Sequence, residues 1–274
     1  MTQSPLISVC IPTFNGETTI RQAVISVLNQ TYAHLEVVIA DDGSTDSTLQ
    51  IVASLADDRI RVLDPSPRTT ASANWNRSVH GSIGRYVKVM GQDDVLYPRC
   101  IEAEVASIVS TDALLCFSRR DVISQHGRML FKDHGLRFSS GKYQLNDLLP
   151  HIIRSGSNPI GEPVATLFDR RTFLEVGGFA GDYVIDVDMW IRILERGPAV
   201  FTNETHVAFR VGDRSWSHQL RTSQARETIG LFDAVVRRHP DLVPRHLKVF
   251  GSIAAYFKQL IRVPAIATLN LIRW

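Results

Sequence analysis

Cysteine is scarce in this chain of 274 residues, which contains three of them, Cys10, Cys100 and Cys116. None belongs to a C-x-x-C pair, and each lies within an apolar or mixed segment. The pattern therefore argues against a zinc site or a disulfide framework and predicts buried thiols in a reducing compartment.

Long hydrophobic runs and an excess of charge are also missing. No uninterrupted apolar segment reaches about 18 residues, and the N-terminal MTQSPLISV lacks the basic region and apolar core of a signal peptide. The 30 basic and 28 acidic residues nearly cancel, so bulk charge gives no indication of nucleic-acid binding. We therefore expect a cytoplasmic protein that binds no nucleic acid.

The sequence does contain a regular alternation of apolar runs with amphipathic segments. Residues 6–11, 35–40 and 60–63 predict buried strands, and the segments between them predict helices. Pro12 is expected to end the first strand. The order of elements predicts an α/β fold with a mostly parallel, Rossmann-like central sheet flanked by helices. Because G-x-G-x-x-G does not follow the first strand, a dinucleotide oxidoreductase is disfavoured.

Polar residues follow three of the predicted strands, at 12–15, 41–46 and 92–94. The carboxyl ends of parallel strands share one edge of a sheet, so we expect these loops to lie together. Asp93 and Asp94 are adjacent like charges that repel each other, and a hard divalent cation with oxygen ligands would compensate. A solvated turn is the alternative.

Five motifs of this chain resemble, in content and order, those of a known family. They read SVCIPTFNGETTIRQAVISVLNQTY, VVIADDGSTDST, QDDVLYP, GGF and DVDMWIRILERG, and they span roughly residues 6–217. The family is that of the inverting family 2 glycosyltransferases, which have the nucleotide-diphospho-sugar transferase fold, of GT-A type. DDGSTD by itself is more typical of a solvated turn before a capped helix, so the resemblance depends on the ordered set.

The resemblance implies several donor-binding residues. Pro12, Thr13 and Asn15 match the segment that lines the nucleotide pocket. Asp42 matches the carboxylate that binds uracil, and an acceptor-only side chain suits the N3–H of uracil or thymine. A UDP- or dTDP-sugar is therefore the favoured donor. Asn76 falls in a segment that lies near the donor in the family.

Two of these assignments have structural alternatives. Asp42 could form an Asx turn before the next helix, although Asp41 or Asp46 can fill that role. Arg77, beside Asn76, is a candidate for neutralising diphosphate charge, but a helical arginine is more often a solvated surface group.

The resemblance also implies Mn²⁺ or Mg²⁺ as a cofactor. Asp94 matches its direct ligand, and Asp93 is expected to share the metal or to contact hydroxyls of the ribose or sugar. Gly91 stands where many relatives have the first aspartate of D-x-D-D.

Near residue 212 the chain departs from the family again. Gly212 stands where many relatives have the histidine that completes the metal site. Asp213, His218, or donor phosphates with water are the alternatives for that ligand.

Asp186 matches the catalytic base of the family motif E-D-x-D-L-W, with Ile185 in place of its glutamate. Asp188 is expected to cap a helix that begins there or to support the base. Trp190 is expected in the core. The residues GGF, which end at Phe179, are expected to form a tight loop on the acceptor side.

These matches imply that an acceptor hydroxyl, deprotonated by Asp186, displaces the nucleoside diphosphate with inversion. The Q-x-x-R-W signature of processive relatives is absent, so one sugar is transferred per encounter. We expect a carbohydrate or lipid-linked acceptor in cell-surface polysaccharide or glycolipid biosynthesis. A degenerate nucleotide-sugar-binding protein is the alternative, and a sugar nucleotidyltransferase ranks last because PTFNGETT is not a basic Gly-rich loop.

The motifs divide the chain into a catalytic domain at 1–217 and a helical extension at 218–274. The segment 247–272 interleaves apolar with basic residues, and Pro264 is expected to break it into two helices. Two interpretations stay open for this extension. It contacts a membrane peripherally, on the inner face of the plasma membrane, or it packs on the catalytic domain or forms a homodimer.

Overall fold

The computed structural model describes residues 4–212 and 224–271. Its strands, in chain order, are β1 Ile7–Thr13, β2 Leu35–Asp41, β3 Ile60–Val62, β4 Tyr86–Val89, β5 Val95–Leu96, β6 Leu115–Ser124, β7 Met129–His134, β8 Gly141–Tyr143, β9 Thr166–Asp169 and β10 Ala199–Val211. Its helices are α1 Ile20–Leu28, α2 Thr48–Ala53, α3 Ala71–His80, α4 Cys100–Thr111, α5 Leu145–Ser155, α6 Arg170–Glu175, α7 Ile185–Leu194, α8 Gln224–Arg238 and α9 Arg245–Leu271, with a 3₁₀ turn at Pro163–Ala165.

The described strands form one mixed sheet in the order β3-β2-β1-β4-β9-β6-β10-β5, with β7 paired to β6 and β8 to β10. Strand β1 is parallel to β2 and β4, β2 to β3, and β10 to β6. Strand β9 runs antiparallel between β4 and β6. The predicted α/β fold is therefore confirmed, and the ends of β1, β2 and β4 meet at one edge.

Both faces of the sheet are covered by helices. Side chains of β1 alternate between two hydrophobic clusters, with Val9 and Ile11 in one and Cys10 in the other. The first cluster includes the buried faces of α1 and α4, and the second includes those of α5, α7 and α8. This double burial explains why the strand sequences are almost wholly apolar.

The predicted end of β1 at Pro12 is wrong, because the strand continues to Thr13. Pairing of β1 with β4 ends at Cys10 opposite Val89, whereas pairing with β2 extends to Thr13. The carbonyl of Cys10 faces β4, where it accepts from the N–H of Met90. The nitrogen of Pro12, two residues further along, also faces β4. Because pairing of β1 with β4 has already ended at Cys10, the missing N–H of the proline costs this pair of strands no hydrogen bond.

The predicted break at Pro264 is also wrong, since α9 is continuous from Arg245 to Leu271. A proline removes one hydrogen bond of a helix, and packing of α9 on α5 and α8 offsets that loss. The three cysteines are free and buried, as predicted. Among the described helices none is long and apolar enough to cross a membrane. The predicted boundary at 217/218 lies outside the described residues.

Strand β4 carries a lysine that is fully buried. The ammonium of Lys88 donates to Glu104 Oε1 of α4 at 2.9 Å and to the carbonyls of Val164 and Thr166 at 2.7 and 2.8 Å. Both side chains of the ion pair are 0% exposed. The pair therefore joins β4, α4 and the segment before β9 inside the core.

We expect Glu104→Ala to lower the free energy of unfolding by about 3–5 kcal/mol, because it leaves a buried ammonium without its counter-charge. Denaturant unfolding measures the change. Glu102→Ala on the exposed side of α4 is the matched control and should change stability little. The double variant Lys88→Met/Glu104→Leu should recover much of the loss, and a Glu104→Ala protein as stable as the parent would contradict this account.

Candidate active site

The ends of β1 and β2 lie side by side, with Thr13 opposite Asp41. The N–H of Asp42 donates to the Thr13 carbonyl at 2.8 Å, and Thr13 is buried. Asn15 has a positive φ of 48°. Its side-chain oxygen accepts from the N–H of Thr45 at 2.8 Å. The two loops that carry the predicted nucleotide-binding residues are thus held together by hydrogen bonds.

Both alternatives to Asp42 form an Asx turn: Asp46 Oδ1 accepts from the N–H of Thr48 at 3.0 Å, directly before α2, and Asp41 forms a second turn. The Oδ2 of Asp41 accepts from the N–H groups of Gly43 and Ser44 at 3.2 and 2.9 Å. Asp42 instead accepts from the N–H and hydroxyl of Thr69 through Oδ1, both at 2.9 Å. Its Oδ2 accepts no hydrogen bond from the described residues, which leaves that oxygen for a ligand.

Gln92 joins the first loop to the end of β4. Its Oε1 accepts from the N–H of Phe14 and its Nε2 donates to the carbonyl of Phe14, both at 2.9 Å. A Cβ added to Gly16 would lie 2.4 Å from Gln92 Oε1, so the glycine makes room for this amide. Sequence reasoning assigned Gln92 no role, because its partner lies 78 residues away.

The acid pair lies directly beside this amide contact. Asp94 is 4% exposed, and its two oxygens accept from the N–H groups of Arg210 and Gly91, each at 3.0 Å. Burial and the neighbouring Asp93 raise the pKa of Asp94 well above its ordinary value. Burial also raises the pKa of Asp93. A Cβ on Gly91 would lie 2.7 Å from Asp93 Oδ1, which is consistent with glycine at this departure from the family motif.

Arg210, on β10, supplies positive charge beside the acid pair. Its Nε donates to the Asp93 carbonyl at 2.7 Å, and its Nη1 donates to the carbonyls of Ser124 and Gln125. It is 5% exposed. We had assigned it no role, although a lone arginine within the strand sequence AFRV was an available signal.

Asp186 lies in the first turn of α7. Its Oδ2 accepts from Asn158 Nδ2 at 2.8 Å, and its Oδ1 accepts from the N–H of Val187 at 2.7 Å. Burial, followed by repulsion from Glu162, raises the pKa of Asp186 to about 6. Asn158 also donates to the carbonyl of Gly161. A folded loop before β9 therefore orients this carboxylate.

Glu162 lies close enough to both Asp94 and Asp186 for its charge to affect them. Its charge raises the pKa of both Asp94 and Asp186, and it forms an ion pair with the buried guanidinium of Arg120. Four carboxylates thus interact with two guanidinium groups. The carboxylates are those of Asp93, Asp94, Glu162 and Asp186, and the cations are Arg120 and Arg210. When all are ionised, the sum is −2.

The helix that carries Asp186 begins at Ile185, so the predicted start at Asp188 and the capping alternative for that residue are wrong. Asp188 Oδ2 pairs with Arg192 at 2.7 Å, one turn later on the same helix. Arg192 donates to the carbonyls of Val176 and Gly178. Asp188 therefore supports the GGF loop through Arg192. Trp190 is fully buried, as expected.

Asn76 holds the same loop from the other side. Its Nδ2 donates to the Phe179 carbonyl and its Oδ1 accepts from the Phe179 N–H, both at 2.8 Å. Its predicted contact with the donor stays a prediction. Arg77 donates to the carbonyls of Asp41 and Asp64 and thus braces the end of β2.

Among the described residues no group of three or more His, Cys, Asp and Glu side chains forms a metal site. Two carboxylates, Asp93 and Asp94, are nevertheless a suitable set for Mg²⁺ or Mn²⁺, because such ions take their remaining ligands from phosphate and water. Asp213 and His218, weighed above as further ligands, lie outside the described residues.

Comparison with known proteins identifies the family. The model of the family described as Glycosyl transferase family 2 matches residues 8–170, which is more than half of the chain. This chain belongs to glycosyl transferase family 2. A solved structure has a similar fold. It is that of the mannosyltransferase PcManGT from Pyrobaculum calidifontis in complex with GDP-Man and Mn²⁺, which superposes with a TM-score of 0.67 at 19% identity. The superposition covers 100% of this chain and 77% of that one.

Two curated relatives are similar to this family 2 chain in sequence. The uncharacterized protein MT1568 of Mycobacterium tuberculosis is 30% identical over 72% of this chain, which spans 64% of the relative's length. The UDP-Glc:α-D-GlcNAc-diphosphoundecaprenol β-1,3-glucosyltransferase WfgD of Escherichia coli is 25% identical over 69% of this chain and 70% of its own. The chain therefore matches less than two thirds of the first relative.

We expect Gln92→Ala to speed hydrogen exchange at the Phe14 amide and to lower the free energy of unfolding by about 1–2 kcal/mol, because both backbone groups of Phe14 lose their partner. Amide exchange followed by NMR measures the first effect and denaturant unfolding the second. Gln50→Ala, at an exposed glutamine of α2, should change neither. Unaltered exchange at Phe14 in Gln92→Ala would show that the amide contact does not hold the loop.

Proposed function

We propose that this family 2 chain transfers a single sugar from a UDP- or dTDP-sugar to an acceptor hydroxyl, with inversion at the anomeric carbon. The acceptor is a carbohydrate or a lipid-linked glycan of cell-surface polysaccharide or glycolipid biosynthesis. The observation that carries the proposal is a pair of buried carboxyl groups, Asp94 and Asp186, each held by hydrogen bonds at the position where the family resemblance implies the metal ligand and the base.

The nucleotide is proposed to bind at the ends of β1 and β2. Asp42 offers its unused Oδ2 to the N3–H of uracil or thymine, while Thr69 holds the other oxygen. Pro12, Thr13 and Asn15 shape the wall of the pocket beside it.

The diphosphate is proposed to lie over the acid pair. Mn²⁺ or Mg²⁺ held by Asp94 and Asp93 would stabilise the negative charge that develops on the departing nucleoside diphosphate. Burial and the charge of Asp93 raise the pKa of Asp94, and burial raises that of Asp93, so a cation here would favour the ionised forms.

Asp186 is proposed to remove the proton from the acceptor hydroxyl. Asn158 and the Val187 N–H fix its orientation, and a pKa of about 6 leaves it ionised at neutral pH while still basic enough to accept a proton. The hydroxyl then attacks the anomeric carbon as the diphosphate leaves. A single displacement of this kind inverts the configuration and needs no covalent nucleophile.

Nucleotide-sugar binding and turnover test the proposal together. We expect UDP-sugars to raise the melting temperature of the wild-type protein in the presence of Mn²⁺, and to do so much less in its absence. Asp94→Asn should lose this stabilisation because it removes a metal ligand. Asp186→Asn should retain the stabilisation yet lower turnover by about a thousandfold or more, because only the base is removed.

Three outcomes of this experiment would count against the proposal. Equal stabilisation of Asp94→Asn and wild type would remove the metal assignment. Donor binding without turnover across a broad acceptor panel would favour the degenerate binding protein, an alternative that Gly91 and Gly212 suggest. Stabilisation by GDP-sugars alone would overturn the proposal that the donor is a UDP- or dTDP-sugar.

The pH profile provides a second test. We expect kcat/KM to rise with pH through about 6 and then to level off, because Asp186 must be ionised to act. Glu162→Gln should move this rise to lower pH, since it removes a negative charge that disfavours the ionised form of Asp186. Glu175→Gln, at a distant exposed site on α6, is the matched control. A rise that moves upward in Glu162→Gln would contradict the assignment.

A further inference from the structure

Helix α9 packs on the rest of the protein through its small residues. A Cβ added to Gly251 would lie 2.0 Å from the carbonyl oxygen of Ile153, so the helix backbone touches α5 at this point. Ala255, one turn on, is 4% exposed and lies against Gly156 at the end of α5. The side of α9 that faces the protein is thus formed by residues that bury little apolar area.

Six large apolar residues of α9 point the other way, whereas Leu247 packs against the core. The six are Val249, Phe250, Ile253, Tyr256, Phe257 and Leu260, which are 55–71% exposed. Their spacing of three and four residues places them on one stripe, here called the outer face of α9. Helices α1, α2, α4 and α6 each expose a single large apolar residue by comparison. An ordinary solvated helix has the reverse arrangement, so the outer face indicates a partner.

The charges around this face identify the partner. The part of α9 with described side chains, residues 245–260, contains Arg245, Lys248 and Lys258 and neither Asp nor Glu, and Lys248 pairs with Asp233 of α8. Arg154 of α5 lies over the Phe250 ring at 6.0 Å and adds a further cation. A second copy docked through the same face would bring two basic helices together, which is unfavourable. An anionic lipid surface accepts both the apolar side chains and the cations.

We propose that the outer face of α9 binds to the surface of an anionic membrane. The helix lies in the interface, with its aromatic and aliphatic side chains among the acyl chains and with Arg245 and Arg154 at the lipid headgroups. Lys258 Nζ donates to Ser157 Oγ at 2.7 Å, next to the residue that orients Asp186. The membrane-bound helix therefore contacts the loop of the candidate active site, so an acceptor carried by a lipid would meet the enzyme at this side.

Vesicle co-sedimentation tests this inference independently of catalysis. We expect the full chain to sediment with vesicles containing about a third phosphatidylglycerol, and much less with phosphatidylcholine alone or at high salt. Phe250→Ser/Phe257→Ser should reduce binding by roughly tenfold or more. Ile83→Ser/Val109→Ser removes two exposed apolar residues elsewhere and should bind as the wild type does. Melting temperatures show whether all variants are folded.

Several results would overturn the inference. They are no sedimentation of the wild type with anionic vesicles, equal binding to neutral vesicles, and unreduced binding by a folded Phe250→Ser/Phe257→Ser protein. Sedimentation velocity without lipid covers the remaining alternative. A wild-type dimer that this variant dissociates would assign the outer face to a second copy instead.

Discussion

The neighbouring carboxylates of Asp93, Asp94, Glu162 and Asp186 repel one another, and contacts in the surrounding structure limit the cost of that repulsion. Asp94 is almost inaccessible to water, which makes its ionised form unfavourable unless other groups compensate. Backbone N–H groups from two separate segments donate to it, and the guanidinium of Arg210 lies against Asp93. Arg120 does the same for Glu162. These contacts leave the site negative, which is the condition under which a divalent cation with a diphosphate would bind.

Side-chain amides connect the loops of this site. Gln92 satisfies both backbone groups of Phe14, and Asn76 satisfies both backbone groups of Phe179. Asn158 bonds the Asp186 carboxylate and the backbone of its own loop. An amide carries both a donor and an acceptor, so one side chain can complete a peptide group that secondary structure leaves unpaired. Carboxylates would add negative charge at these positions, where the site already has an excess of it.

The acceptor side of the site and the C-terminal helix are in direct contact. The loop with Asn158 lies between the buried end of α5 and Asp186, and α9 packs on that same end of α5. The proposed membrane-binding helix and the loop that orients Asp186 therefore share one supporting element, the end of α5. Small residues on the inner side of α9 allow close packing, and this leaves its large apolar side chains for an external partner.

The sequence alone determined the α/β sheet, the polar loops at its carboxyl edge, the buried thiols and the family, because these follow from local periodicity and from motifs that are contiguous in the chain. It misplaced the end of β1 at Pro12, the start of α7 and the break at Pro264, since a proline or an aspartate has several structural uses that local pattern does not separate. Only the tertiary structure revealed Gln92, Glu162 and Arg210 beside the acid pair. Arg210 and Asp93 are 117 residues apart, and a charge that acts through space leaves no periodic trace in the chain.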